Sequence, residues 1–282
     1  MARDVVLVTG GNSGIGFECA RQLARAGWHV LIASRNRQAS AEAVDRIARD
    51  SGADAASELG LDLGSIAAVR QFVREIDARD VPLRALVCNA GLQVHKGPQL
   101  SPDGYELTFA VNHLGHFLLT NLLLDKMRQS GPSRIVVVAS EAHRRATLDF
   151  GDLMNTKVSG FLTPYQRSKL ANLLFARALA RRLAGSGVTV NALHPGLVRS
   201  HLFRNSPTLL RVLLSSVGRV FMLSPQQGAR GSVYLAAAPE LDGQSGGYYH
   251  GCRRVAPSAA AQSDASAERL WVESARLTGL PA

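Results

Sequence analysis

Short, wholly apolar runs alternate along the chain with longer stretches in which apolar residues recur every three or four positions. Val5-Val6-Leu7-Val8 and Ile135-Val136-Val137-Val138 are continuously apolar, as strands covered on both faces should be. Strands are predicted at residues 4–8, 28–33, 56–61, 83–88, 134–139 and 188–193, and helices at 14–26, 38–50, 65–78, 103–128 and 163–183. Strands that alternate with helices pair in parallel through right-handed crossovers. The pattern therefore predicts an α/β fold: a single doubly wound parallel sheet with helices on both faces. Two stretches break the rhythm, a polar-to-mixed loop at 141–160 and an insertion at 197–225. Both follow carboxyl ends of strands, where open α/β sheets bind ligands, so a substrate loop and a lid are expected there. A last packing helix is expected over 263–277. No second domain is indicated, and residues 1–282 are read as one.

Composition narrows the class. The 282 residues are 46% hydrophobic and 19% charged, which fits a chain with a sizeable core and excludes wholesale disorder. No uninterrupted apolar run reaches the roughly eighteen residues of a membrane-spanning helix. The first strand begins at once, leaving no room for a signal peptide, and the expected compartment is the cytoplasm. The formal net charge of +10 raises the question of nucleic acid. Only Lys96, Lys126, Lys157 and Lys169 are lysines, the arginines are spread along the chain, and no basic run of five occurs. That distribution reads as a diffuse positive surface, with no nucleic-acid partner. Cys19, Cys88 and Cys252 have no metal-like spacing and are expected to be free thiols of a reducing compartment. His113 and His116 fall on one helix face, but no carboxylate motif completes a site with them or with His194, so no metal is expected.

The first strand runs into Thr9-Gly10-Gly11-Asn12-Ser13-Gly14-Ile15-Gly16. A turn that brings backbone close to a pyrophosphate needs residues without Cβ, and the next helix offers N–H groups at its positive end. The spacing is not G-x-G-x-x-G, since Gly14-Ile15-Gly16 continues into Phe17-Glu18-Cys19. A purely structural turn is the alternative, and four glycines at this junction favour a dinucleotide. The second strand ends Ala33-Ser34-Arg35-Asn36-Arg37, with no acid until Glu42. An acid there would grip the ribose hydroxyls of NAD, whereas an arginine accommodates a 2′-phosphate. Arg35 therefore points to NADP(H). Asp62, with Leu63 beside it, ends the third strand and is placed to accept from the adenine amino group.

Tyr165 and Lys169 are four residues apart on a predicted helix and share a face. An ammonium beside a phenol lowers its pKa from about ten, making a usable general acid or base. The pair gains weight from Asn89-Ala90-Gly91 after the fourth strand, Asn112 within a helix and Ser140 closing the fifth strand. With these motifs in this order, and with Pro195-Gly196, the chain resembles the short-chain dehydrogenase/reductase family over nearly its whole length. It is most similar to the retinol dehydrogenase branch, which protochlorophyllide reductases also resemble. That likeness is carried by Asp103-Gly104-Tyr105-Glu106, Val111-Asn112-His113-Leu114-Gly115-His116-Phe117, the stretch from Ser168-Lys169-Leu170 to Phe175, Ser224-Pro225-Gln226-Gln227-Gly228-Ala229 and Ser245-Gly246-Gly247-Tyr248-Tyr249.

The resemblance implies a Rossmann-like fold and a four-residue relay. Tyr165 would protonate the carbonyl oxygen and Ser140 would hold it. Lys169 would bind the nicotinamide ribose and depress the pKa of Tyr165, and Asn112 would interrupt its helix and hold a relay water. Gly10, Asn12, Ser13, Gly14, Ile15, Gly16, Arg35, Asp62, Leu63, Asn89, Ala90, Gly91, Tyr165, Lys169, Pro195, Gly196 and Ser200 would contact the cofactor, the last three near the nicotinamide. The chain departs from the family in having Ala139-Ser140 where a serine pair is common, and the N-terminal anchor that membrane-bound retinol dehydrogenases often have is not expected. Retinoid specificity and membrane residence are therefore not carried over.

The expected activity is hydride transfer between NADP(H) and a carbonyl or alcohol, with a lipophilic aldehyde, ketone or retinoid-like substrate. A non-catalytic dinucleotide-binding regulatory protein is the alternative. Residues 209–223 are apolar nearly all round a helix, with Arg211 and Arg219 close to one side, so protein, substrate or lipid must cover them. A lid over a lipophilic pocket is the expectation, and peripheral membrane contact or plain packing are its rivals. A homodimer is left open.

Overall fold

The computed structural model describes residues 3–95, 97, 99–157, 160, 162–198 and 222–281. Six parallel strands form the body of the sheet: β1 (Val5–Thr9), β2 (His29–Ser34), β3 (Ala56–Gly60), β4 (Leu83–Cys88), β5 (Ser133–Val138) and β6 (Val188–His194). Among the described residues β7 (Tyr248–His250) extends the sheet in parallel and β8 (Arg253–Arg254) closes it antiparallel, giving the order β3-β2-β1-β4-β5-β6-β7-β8. From β1 the chain winds outward to β3 and then returns to the other side of β1 with β4. The crevice at the carboxyl ends of β1 and β4 is therefore the switch point where such sheets bind ligands.

The continuous apolar runs have a direct cause in this geometry. Leu7, Leu31, Leu86 and Ile135 point into one buried layer with Phe72, Phe117 and Leu173, while Val6, Val8, Ile32 and Val136 point into the other with Phe17, Leu23 and Ile47. Alternate strand residues face opposite sides of the sheet, and helices cover both. α3 (Ile66–Asp77), the helical stretch from Leu107 to Gln129 and α6 (Leu162–Arg182) lie on the first face; α1 (Gly14–Arg25), α2 (Arg37–Ser51) and α7 (Pro225–Ala237) lie on the second. α8 (Asp264–Thr278) packs on α6.

The helix expected over 103–128 is not one regular helix. It starts as α4 (Leu107–Phe109), passes through a π-helical turn at Ala110–Leu114 and resumes as α5 (Gly115–Gln129). Residues 103–106 form a turn instead. Gly104 takes a positive φ of 80°, and the Glu106 carboxylate caps the helix by accepting from Thr108 N at 2.8 Å and Phe109 N at 2.7 Å. By length and composition Leu107–Gln129 could cross a membrane, but it is mostly buried within the protein as a core helix. α7 was not anticipated. It opens on a capping box between Ser224 and Gln227 with Pro225 at its first position, a recognised helix-start signature. Cys19 and Cys88 are buried, and burial pushes both thiols up to about 12; Cys252 is exposed. Residues 199–221 lie outside the described residues, and with them Ser200, Arg211, Arg219 and most of 209–223. The two described ends of that insertion meet: Val198 and Leu223 form a parallel bridge, and Leu223 N donates to Leu197 O at 2.9 Å.

Candidate active site

A cleft of about 1090 Å³ opens at the switch point, at the upper end of the roughly 300–1,000 Å³ usual for small-molecule sites. Every expected site residue among those described lines it except Asn112, which sits behind its wall with a fully buried side chain.

At one end the glycine turn forms the floor. Gly10 and Gly14 have positive φ values of 64° and 56°, which a side chain would strain. A Cβ at Gly16 would lie 2.3 Å from Gly10 O and 2.4 Å from Asn89 Nδ2, so the start of α1 touches backbone directly. Asn89 Nδ2 donates to Thr9 O at 2.9 Å, and the Thr9 hydroxyl accepts from Asn89 N at 2.9 Å and Ala90 N at 3.0 Å. These bonds clamp the Asn89-Ala90-Gly91 loop onto β1. Gly16→Ala should cost about 1–3 kcal/mol, the scale of overpacking. Thermal unfolding reads this as a lowered midpoint; an unchanged midpoint would show that the turn yields freely. Ser13, the N-cap of α1, makes no side-chain capping bond, so the positive end of the helix and a free hydroxyl both face the cleft.

At the rim beyond β2, two neighbouring arginines differ. Arg37 pairs with Glu58 at 3.0 Å, whereas Arg35 is exposed on the cleft with no ion pair or hydrogen bond recorded among the described residues. Asn36 is used as the cap of α2, accepting from Ala39 N at 3.0 Å. Asp62 Oδ1 accepts from Gly64 N at 2.9 Å, which fixes the carboxylate at the end of β3.

At the other end, α6 presents Tyr165 and Lys169. Lys169 is buried, donates to Val138 O at 3.1 Å and sits 5.7 Å from the Tyr165 ring centroid. Burial brings its pKa down to about 8. The Tyr165 pKa moves the other way. Burial raises it above the ordinary phenol value and outweighs a hydrogen bond with Ser140 that pulls it down. The expected depression by Lys169 is therefore not found in this arrangement: the ammonium is itself destabilised by burial, and desolvation of the phenol dominates. Ser140 lies two residues beyond β5, and its Oγ accepts from Ala142 N at 3.2 Å, capping the short 3-10 turn Glu141–Arg145.

The expected helix interruption at Asn112 is present as the π turn. Its side chain is fully engaged. Oδ1 accepts from Leu92 N at 2.8 Å, and Nδ2 donates to Leu92 O at 2.9 Å and to Ser168 Oγ at 3.0 Å. Ser168 Oγ in turn donates to Tyr165 O at 2.7 Å. Gly91 faces both groups: a Cβ there would lie 3.4 Å from Asn112 Oδ1 and from Lys169 Nζ.

The chain that builds this glycine-floored cleft, with a Tyr–Lys pair and a serine at its far end, is matched by the short chain dehydrogenase family model over residues 4–209. The chain belongs to this family. It is similar to the WW domain-containing oxidoreductase of Pongo abelii, 45% identical over 97% of this chain and 67% of that protein. It is also similar to human retinol dehydrogenase 13, 42% identical over 98% of this chain and 85% of that protein. Among solved structures, the Pseudomonas aeruginosa RhlG/NADP active-site complex superposes with a TM-score of 0.70, 26% identical over 89% of this chain and 95% of that one. The chain is thus an oxidoreductase of the retinol dehydrogenase-like branch.

In this short-chain dehydrogenase His113 and His116 bond in different directions. His113 Nε2 reaches Ser274 Oγ at 2.8 Å, towards α8, while His116 Nε2 reaches Thr9 Oγ1 at 2.9 Å, towards the glycine turn. A cluster at the substrate end was not foreseen. Glu141 pairs with Arg144 and, at 3.3 Å, with His194 Nε2, and the His194 ring stacks on His250 at 4.3 Å. Burial, aided by His250, lowers the His194 pKa to about 4, so its imidazole is neutral near pH 7. The two rings meet because His194 and His250 are register partners on β6 and β7. Without β7 in the predicted sheet, no sequence pattern joins them.

Proposed function

We propose that this short-chain dehydrogenase is NADP(H)-dependent and moves a hydride between the nicotinamide and a lipophilic carbonyl or alcohol. One observation carries the cofactor preference: among the described residues Arg35 makes no ion pair on the cleft rim, while Arg37 is held by Glu58. A guanidinium without a partner can fork onto a 2′-phosphate, and no carboxylate occupies this rim position to grip ribose hydroxyls. The similarity to an NADP complex supports the same reading. The residues fit such a group: the Cβ-free floor at Gly10, Gly14 and Gly16 and the uncapped start of α1 would hold the pyrophosphate, Asp62 and Leu63 the adenine, and Pro195 and Gly196 the nicotinamide end.

When bound, the nicotinamide supplies or accepts the hydride. The protein's part is the proton. Tyr165, kept protonated by burial, donates its phenolic hydrogen to the carbonyl oxygen. Ser140 Oγ already accepts from Ala142 N, and the hydrogen it now shares with Tyr165 would turn to that oxygen. Lys169 donates once to Val138 O and keeps two N–H groups for the ribose hydroxyls, and its charge stabilises the phenolate left behind. Leu162 and Leu197, both half-exposed, line the cleft with Leu92 and Val255, which supports a lipophilic substrate; we take residues 141–160 and the insertion after β6 as the segments that receive it. Arg35→Asp tests the reading. NADPH binding should weaken by about ten- to a hundredfold, the scale of a lost charge-assisted hydrogen bond, with NADH binding unchanged or improved. Equal losses for both nucleotides would defeat it.

A further inference from the structure

His116 is buried and makes two hydrogen bonds that together fix its tautomer. Nδ1 lies 3.1 Å from Asn112 O, and because a carbonyl only accepts, Nδ1 carries the hydrogen. Burial, with the Lys169 charge adding to it, lowers the His116 pKa to about 4, so the ring is neutral. Nε2 is then a bare acceptor, and the Thr9 hydroxyl 2.9 Å away donates to it in preference to Val87 O at 3.3 Å. Thr9 Oγ1 in turn accepts from Asn89 N and Ala90 N. Every bond from the nucleotide-binding loop to the Asn112 carbonyl thus has a defined direction. From Asn112 the chain continues through Ser168 Oγ to the backbone of Tyr165.

We propose that His116 is a positioning residue with two separable tasks: Nε2 holds the nucleotide-binding turn through Thr9, and Nδ1 holds the π turn carrying Asn112. The inference rests on the functional reading above. The chain ends on the backbone amides of Asn89 and Ala90, which cannot relay a proton to solvent, so it acts as a strut. In an α-helix the carbonyl of residue 112 would meet the N–H of residue 116; a π register shifts that partner on by one. The His116 ring adds a side-chain donor to that carbonyl.

Three variants separate the two bonds. His116→Phe keeps a ring and removes both. His116→Asn places an amide where Nδ1 lies and can restore only the bond to Asn112; His116→Gln reaches the Nε2 position and can restore only the bond to Thr9. The readouts are the NADPH Kd, by fluorescence titration without substrate, and kcat with the best carbonyl substrate. His116→Phe should weaken NADPH binding and lower kcat, each by about tenfold, as expected for a lost buried hydrogen bond. His116→Gln should recover Kd but not kcat, and His116→Asn should recover kcat but not Kd. If the Asn and Gln variants behave alike, or if all three stay within about twofold of wild type, a span no wider than the weakest hydrogen bonds, the inference is overturned. Should His116→Phe fail to fold, the contrast between Asn and Gln decides alone. A wild type that binds no NADPH defeats the functional reading instead; a wild type that binds and turns over without the split defeats this inference only.

Discussion

Tyr165→Phe is expected to lower turnover by at least about a hundredfold, the lower end of what general acid catalysis supplies, while NADPH affinity stays close to wild type. The substitution keeps the ring that fills the space between Ser140 and Lys169 and deletes only the transferable proton. Because burial holds the phenol above its ordinary pKa, the proton is present throughout the neutral range. The loss should therefore be the same at pH 6 and pH 8. Near-normal turnover in the variant would remove Tyr165 from the chemistry, and a parallel collapse of NADPH binding would make it a structural residue.

Lys169→Met should lower kcat/KM by about 10²–10³, the scale of removing one preorganised electrostatic donor, and should change the pH profile in a defined way. Burial has brought the Lys169 pKa from its ordinary value down to about 8. The ammonium is therefore the dominant form below that pH and is lost above it. Wild-type kcat/KM, which reports groups of the free enzyme, should fall as the pH rises through about 8. The variant should show no such limb. Stability should move in the opposite sense. A folded-state pKa below the unfolded one means that the fold disfavours the charged form, a cost present below the folded pKa and relieved as pH rises towards the unfolded value. At pH 7 the methionine variant should accordingly unfold at least as high in temperature as wild type, with activity and stability measured on the same preparation. A destabilised variant would show instead that the bond to Val138 O outweighs the burial of the charge.

The parts of this molecule that were legible in the sequence are those with local causes. Six strands and both core layers follow from apolar runs, because each strand residue must bury on one side or the other. The glycine turn follows from four glycines at one strand–helix junction, and the Tyr165–Lys169 face from a spacing of four. The rest depends on contacts between distant segments. β7 and β8 are three and two residues long and exist only because β6 offers an edge. The break in the helix at 110–114 leaves its apolar period unmarked; it is held by Asn112 bonding Leu92 and by Gly115 pressing on Leu63, where a Cβ would come within 2.2 Å of Leu63 O. Thr9, Asn89 and His116 meet across separations of 80 and 107 residues, so His116 gave no local sign of its role. The direction of the Tyr165 shift in this structure is hidden from the sequence for a related reason: spacing shows that an ammonium is near, and only the packed structure shows how much water has been removed from both groups.

The most direct test of the central claim is isotope transfer. The wild-type protein is incubated with NADPH carrying deuterium at C4 of the nicotinamide, in turn with lipophilic aldehydes, ketones and retinoid-like carbonyls, and the products are read by mass spectrometry. The account predicts an alcohol with one deuterium on the former carbonyl carbon, formed faster from labelled NADPH than from labelled NADH. Tight NADPH binding with no deuterium delivered to any carbonyl would contradict it, and would make the chain a nucleotide-binding protein whose catalytic face is idle.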